Sequence, residues 1–339
     1  MTKKQISLKD LAKALNISVS TVSRALKNHP DISLPMAQKV QELAKSLKYS
    51  PNPLAMGLLR RQTKTIGVIV PDLVTHFFSS VVSGIEDIAS KHGYYVVVTS
   101  SNESYEKEKA CIENLVHQRV EGIIACVSRT TADFGHYDML QEAGIPLVFF
   151  DRVCRTDEFS SVIVDNVEAA KQIVAHFYET GCRRIAYLSG PENLSISRER
   201  LSGYKLGLET CKLPLNSQLL ESSEMDMHKA AEAVKRLLAL PEPPDALFGI
   251  NDMVVFAALK EIKRHKLRIP DDISVVGFTD DFHANFVEPE LTAVVHPTFE
   301  MGQEAASLLL AQTLAEEELP VKQVKLSTKL VVRDSTRKI

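Results

Sequence analysis

The chain has 339 residues, is 45% hydrophobic and 24% charged, and carries a formal net charge of −3, enough for two or three domains with sizeable cores. No run of eighteen apolar residues occurs and MTKKQISLKD has no apolar leader, so neither a membrane span nor export is supported and a cytoplasmic protein is expected. Five cysteines (111, 126, 154, 182, 211), odd in number and without a C-x-x-C pair, argue against a disulfide framework or structural zinc.

Residues 7–28, SLKDLAKALNISVSTVSRALKN, carry two short helix signals around a tight turn. Ser7 and Asp10 have capping-box spacing, and Leu8, Leu11, Ala12 and Leu15 recur at helical intervals, which predicts a helix over 8–15. Asn16 tolerates the left-handed turn, Ile17 anchors it, and Ser18 caps a second helix buried through Val22, Ala25 and Leu26. The other face holds Ser20, Thr21, Ser23 and Arg24, small hydroxyls and a guanidinium suited to a major groove. A helical hairpin on a larger domain would look similar, but charge separates the readings. Residues 1–64 contain twelve Lys or Arg against three acids, a balance of +9 that leaves −12 for the rest. A basic module on an acidic body suits phosphate neutralisation.

A third helix is expected from Ser33, through Val40, Leu43, Ala44 and Leu47, ending before Tyr49-Ser50-Pro51. Asn52-Pro53 can open one or two further turns up to Arg61, but that segment contains Gly57 and is too short to be stable alone. It is either a linker or a helix that forms only when held.

From Thr65 apolar strands alternate with amphipathic helices: 65–70, 94–100, 121–127 and 145–151, then again 161–165, 183–190, 245–250 and 272–278. Near-continuous Val/Ile runs predict parallel strands buried on both faces, hence two doubly wound α/β subdomains with ligand residues just beyond the strands' carboxyl ends. The chain then returns through 291–297, a helix near 300–315 and an extended piece over 321–333. The expected division is a helical head over 1–49, a hinge over 50–63 and a body over 64–339. Within the body the first subdomain takes 64–162 and 292–322, and the second 163–291 and 323–339.

In order and spacing, LKDLAKALNISVSTVSRALKN (8–28), YSPNPLA (49–55), TIGVIVPD (65–72), FFSSVVSGIE (77–86), DR (151–152), VDN (164–166), GCRRIAYLSGP (181–191), RLSGY (200–204), ND (251–252), IPDDISVVGF (269–278) and PELTAVVHP (289–297) resemble the lactose-repressor/galactose-repressor family of bacterial transcription regulators. The resemblance spans essentially the whole chain. It implies a helix-turn-helix head, a hinge helix and a clamshell like that of periplasmic binding proteins, acting as a homodimer on double-stranded operator DNA under a small-molecule effector, a sugar or sugar phosphate. A corepressor protein is a further partner the family admits.

Carried over by position, the resemblance implies DNA contacts from Ser18, Val19, Ser20, Thr21, Ser23, Arg24, Asn28, Tyr49, Asn52, Ala55 and Leu58. Val19 and Ser20 take the specificity-setting places, and Leu58 is the minor-groove wedge or else a core leucine beneath the head. Ala37 stands where the family commonly has Arg or Lys, with Lys39 as a replacement. The implied effector residues are Phe77, Phe78, Asp151, Arg200, Met225, Asn251, Thr279 and Asp280. For Phe77 and Phe78 core packing is the alternative, for Asp151 a salt bridge to Arg152 or Arg184, and for Asn251 a helix cap. Leu194 and Met225 replace the arginine and aromatic of the purine-responsive member, which disfavours a purine. No metal or cofactor is implied. The competing class, a doubly wound metabolic enzyme with a helical extension, needs a glycine-rich phosphate loop after the first strand, where Pro71-Asp72-Leu73-Val74-Thr75 stands instead. His283 and His296 read as loop or cleft residues.

Overall fold

A computed structural model describes residues 6–49, 63–278 and 282–338. The chain divides into two compact units, residues 1–63 and 64–339.

In the first unit, α1 (Leu8–Leu15) opens with the reciprocal capping box, in which the Ser7 amide donates to Asp10 Oδ2 at 2.8 Å and the Asp10 amide to Ser7 Oγ at 3.4 Å. Asn16 ends it in the left-handed conformation, φ 54°. Ser18 then caps α2 (Val19–Leu26) by accepting from the Thr21 amide at 3.0 Å. α3 (Leu34–Ser46) follows Ser33, with Pro35 in its first turn. Leu11, Ala12, Val22, Ala25, Val40 and Ala44 close a small shared core. Ala37 belongs to the buried set of α3, and Lys39 beside it is exposed.

The second unit contains two six-stranded sheets. The strands are β1 (Thr65–Val70), β2 (Tyr95–Ser100), β3 (Gly122–Ala125), β4 (Leu147–Phe150), β5 (Ser160–Val164), β6 (Ile185–Ser189), β7 (Leu220–Ser222), β8 (Ala246–Gly249), β9 (Ser274–Phe278), β10 (Thr292–Val295), β11 (Gln323–Leu326) and β12 (Lys329–Val331). The first sheet runs β11-β5-β4-β3-β1-β2, all parallel, and the second β12-β10-β9-β8-β6-β7, parallel except for the β10–β12 edge. Their helices are α4 (His76–Lys91), α5 (Tyr105–His117), α6 (Asp138–Glu142), α7 (Asn166–Glu179), α8 (Ser195–Thr210), α9 (Met227–Leu238), α10 (Asp252–Arg264) and α11 (Thr298–Leu314). The central strands are buried along their length except at Thr65, the first residue of β1, as helices on both faces require. α4 and α11 approach so closely that a Cβ on Gly84 would lie 2.0 Å from the Phe299 carbonyl oxygen.

The crossings between lobes differ from the expected ones. β5 lies entirely in the first sheet, pairing with β4 and β11, so the first crossing falls at Asp165 rather than 162. β10 belongs to the second sheet, in parallel register with β9, and the chain returns at His296-Pro297. The extended piece 321–333 is two strands: β11 joins the first sheet, and β12 the second after a break at Ser327-Thr328. Apolar runs identify strands but carry no information about which of two similar sheets receives them.

Candidate DNA-reading face and effector cleft

On α2, Val22 and Ala25 are buried, which leaves Val19, Ser20 and Arg24 exposed and Thr21 and Ser23 half-buried. Ser18 Oγ lies 2.8 Å from both Ser20 Oγ and Thr21 Oγ1, a hydroxyl cluster at the helix N-terminus. Arg24 approaches Asp31 at 3.6 Å, a loose exposed pair that phosphate can displace. Asn28, left-handed at φ 53°, accepts from Gln41 Nε2 at 2.8 Å and so ties α2's exit to α3. Tyr49 is half-buried, and burial raises its phenol pKa. Asn52, Ala55 and Leu58 lie outside the described residues.

Between the two lobes of the body lies a cavity of about 950 Å³, the upper end of the range for small-molecule sites. Its floor forms where parallel strands end. After β4, Asp151 is buried and held in the left-handed region at φ 57°, a strained backbone for a non-glycine residue. Arg200 comes from α8 of the other lobe, 2% exposed, donating from Nε to Asn166 Oδ1 at 2.9 Å and from Nη1 to the Ile250 carbonyl at 2.6 Å. Its guanidinium lies 3.6 Å from the centre of the Phe278 ring. Nη2 remains to serve the cavity. Burial lowers the Arg200 pKa to about 10, against the opposing pull of Asp151, and burial raises the Asp151 carboxyl against Arg200 and Arg152.

Phe77 and Phe78 open α4, edge to face at 5.1 Å, and both line the cavity while nearly buried, so they are core and wall at once. Met225 and Asn251 also line it. Asn251 is the cap of α10 as well, accepting from the Val254 amide at 3.0 Å. Of the two arginines that could pair with Asp151, Arg152 Nε stands 4.0 Å away, whereas Arg184 pairs with Glu242. Thr279 and Asp280 lie outside the described residues. His283 lines the cavity and His296 is buried beside Phe77 and Phe278, its pKa lowered to about 3 by burial and by Arg200. Leu194 is buried at the start of α8, away from the lining. No group of three or more His, Cys, Asp or Glu among the described residues is placed to hold a metal.

Two lining residues, Glu103 and Arg129, and Asn193 at the contact between the lobes escaped the sequence reading. Glu103, three positions past β2, accepts from Arg152 Nη1 at 2.9 and 3.0 Å and from the Arg129 amide at 2.7 Å. Arg129, past β3, reaches across the cleft to the Met225 carbonyl at 3.1 Å, and Asn193 of the second lobe returns the gesture, donating to the Arg129 and Thr131 carbonyls at 2.9 and 2.8 Å. Each lobe thus clasps the other's backbone. All three follow strand ends, the location where ligand residues gather, and that position was the available signal.

Fold and site define a DNA-binding regulator: a helix-turn-helix head on a two-lobed ligand-binding body. Residues 7–52 match the model of bacterial regulatory proteins, lacI family, and residues 174–336 that of a periplasmic binding protein-like domain. The chain is 32% identical to the HTH-type transcriptional repressor CytR of Escherichia coli K12 over 331 residues, 98% of this chain and 96% of that one. The structure is similar to that of the lac repressor dimer bound to operator and the anti-inducer ONPF (TM-score 0.85, 27% identity, 99% and 100% of the two chains). It is also similar to the transcriptional regulator CelR–cellobiose complex (TM-score 0.75, 28% identity, 98% and 100%). The chain belongs to the lacI family of bacterial regulatory proteins, which are DNA-binding transcriptional regulators and not enzymes. No helix among the described residues is long and apolar enough to cross a membrane.

Proposed function

We propose that this chain is a homodimeric repressor of carbohydrate-utilisation genes, binding a pseudo-palindromic operator with an affinity set by a neutral sugar between its lobes. The effector half rests on one observation: Asp151 of one lobe and Arg200 of the other meet in a cavity of about 950 Å³ walled by Phe77, Phe78, Ile196 and Met225. Adjacent sugar hydroxyls can donate to the carboxylate and accept from the guanidinium at the same time, while the apolar wall takes the ring's C–H face. Asn251 adds an amide, and Thr279 and Asp280, which follow β9 in chain order, are the further polar groups assigned to the effector. Asp72, Glu103, Asp151, Asp226 and Asp252 also line the space. Arg129, Arg152, Arg200, Lys260 and Lys263 balance them. Arg152 and Arg129 are already engaged by Glu103 and the Met225 carbonyl, so the wall offers no excess positive charge for a phosphate and a neutral sugar is the favoured ligand.

In the DNA half, Ser18, Thr21, Ser23 and Arg24 anchor α2 to phosphates and shared bases, Val19 and Ser20 select the operator, and Asn28 and Tyr49 support the backbone contact. Asn52, Ala55 and Leu58 form the hinge, Leu58 being the wedge. A ligand shifts DNA affinity only by binding two lobe arrangements differently. The clasp of Arg129 and Asn193 gives closure something to make and break. The testing experiment is an operator titration by fluorescence anisotropy with and without a panel of mono- and disaccharides, cellobiose and glucose first. A sugar that shifts operator affinity supports the reading; a panel without effect, while a sugar phosphate acts, overturns the neutral-sugar assignment.

A further inference from the structure

Arg200 enters the cleft as a fixed donor because three contacts hold it, and one of them is less simple than it looks. Ile250 offers a carbonyl and Phe278 a ring, both of fixed polarity. Asn166 offers an amide, whose two ends are nearly the same shape and opposite in hydrogen-bonding sense. Arg200 Nε is a donor, so only the Oδ1 end serves it. Turned over, the amide would set Nδ2 against a buried guanidinium and leave Nε without an acceptor, a costly state for a charged group 2% exposed.

Glu199 decides the orientation. Its Oε2 accepts from Asn166 Nδ2 at 2.7 Å, which leaves Oδ1 for Arg200. Neighbours on α8, Glu199 and Arg200 project about 100° apart, so Glu199 faces away from the effector cleft. It lines a second, polar cavity of about 420 Å³ with Asp165, Asn166, Ser195, Arg198 and Lys325. The cations there have other partners. Arg198 donates to the Glu192 and Asn193 carbonyls, Lys325 to Asp165, and Arg155 to Asp138 and Glu158. Among the described hydrogen bonds Asn166 is the partner of the Glu199 carboxylate. Asn166 is also the first residue of α7, one position past the crossing from β5, so it ties Arg200 to the segment that joins the lobes.

We propose that Asn166 and Glu199 are positioning residues of the effector site: the carboxylate orients the amide, the amide holds Arg200 Nε, and Nη2 is thereby aimed into the cleft. The proposal rests on Arg200 being an effector contact, and its test reads the relay without an effector. In the full chain labelled with ¹⁵N-arginine, the Nε–H resonance of Arg200 is the one lost in Arg200→Lys. The expected solvent exchange of that proton is slow in the parent, at least about 10-fold faster in Asn166→Ala and in Glu199→Ala, and restored to the parent rate in Glu199→Gln, whose Oε1 still accepts from Asn166. Glu199 is only partly buried, so its variants retain the fold and decide the matter even where Asn166→Ala does not fold. Exchange unchanged in Glu199→Ala, or lost equally in Glu199→Gln, overturns the relay. Calorimetry with cellobiose and glucose supplies the second readout: Glu199→Ala weakens a binding sugar about 10-fold in the parent and adds no further loss in an Arg200→Ala background, whereas additive losses overturn positioning. Should neither sugar bind, the sugar reading fails while the exchange result still judges the relay.

Discussion

Replacing Arg200 with Ala changes two quantities in directions the geometry dictates. Sugar binding loses the donation from Nη2, a charge-assisted bond of about 1.5–3 kcal/mol, so affinity should fall about 10- to 150-fold. The second change concerns Asp151. Its carboxyl is raised by burial and held down chiefly by Arg200, with Arg152 second; without Arg200 it rises further. A carboxyl whose folded pKa exceeds its unfolded value incurs no penalty below the unfolded value, and the penalty grows as pH climbs to the folded one. The variant should therefore lose stability relative to the parent as pH rises above the parent's own raised Asp151 value, at up to about 1.4 kcal/mol per pH unit within the added window. Arg200 itself stays protonated across that range, with its pKa lowered only to about 10, and adds no slope of its own. Urea unfolding at several pH values, beside calorimetric titration of the binding sugar, measures both. Affinity within twofold of the parent would refute the placement of Arg200 in the site, and parallel pH profiles would refute the pairing with Asp151.

Other variants probe other parts. Gly84→Ala drives a methyl into the Phe299 carbonyl and should lower the melting temperature of the body by several degrees, from about 1–3 kcal/mol of overpacking. His296 is neutral in the fold with its pKa lowered to about 3, so stability falls as pH drops below the unfolded value near 6.5; His296→Phe should flatten that acid limb by up to about 1.4 kcal/mol per pH unit in denaturation curves. Removing the clasp with Arg129→Ala and Asn193→Ala should speed amide hydrogen exchange along the cleft-facing loops without sugar and leave the lobes' strands protected. Arg24→Ala should weaken operator binding about 10-fold and reduce its salt slope by about one, whereas substitutions at Val19 should alter base preference at constant slope in anisotropy titrations.

What was legible in the sequence follows from how locally each feature is determined. The capping box at Ser7 and Asp10, the turn at Asn16 and the Ser18 cap depend on residues within three positions, and they stand where the pattern placed them. Buried parallel strands announce themselves through unbroken apolar runs. Their assignment to one sheet or the other does not, because β5 and β11 pair with each other across more than a hundred residues and β10 lies between β9 and β12. The cleft divides in the same way. Asp151, Arg200 and Asn251 were readable through the family's short signatures, and Phe77 and Phe78 through adjacency. Glu103, Arg129 and Asn193 were not: Glu103 is fixed by Arg152 and the Arg129 amide from neighbouring loops, and Arg129 and Asn193 by backbone carbonyls of the opposite lobe.

The central claim is that one molecule in the Asp151–Arg200 cleft governs what α2 does on DNA. The direct measurement is operator affinity across a titration of the bound sugar, paired with sugar affinity across a titration of operator. Linkage requires both to change by the same factor, about 5- to 150-fold for a typical coupling, and requires the change to vanish in Arg200→Ala. A sugar that binds the cleft tightly while operator affinity stays constant would contradict the account.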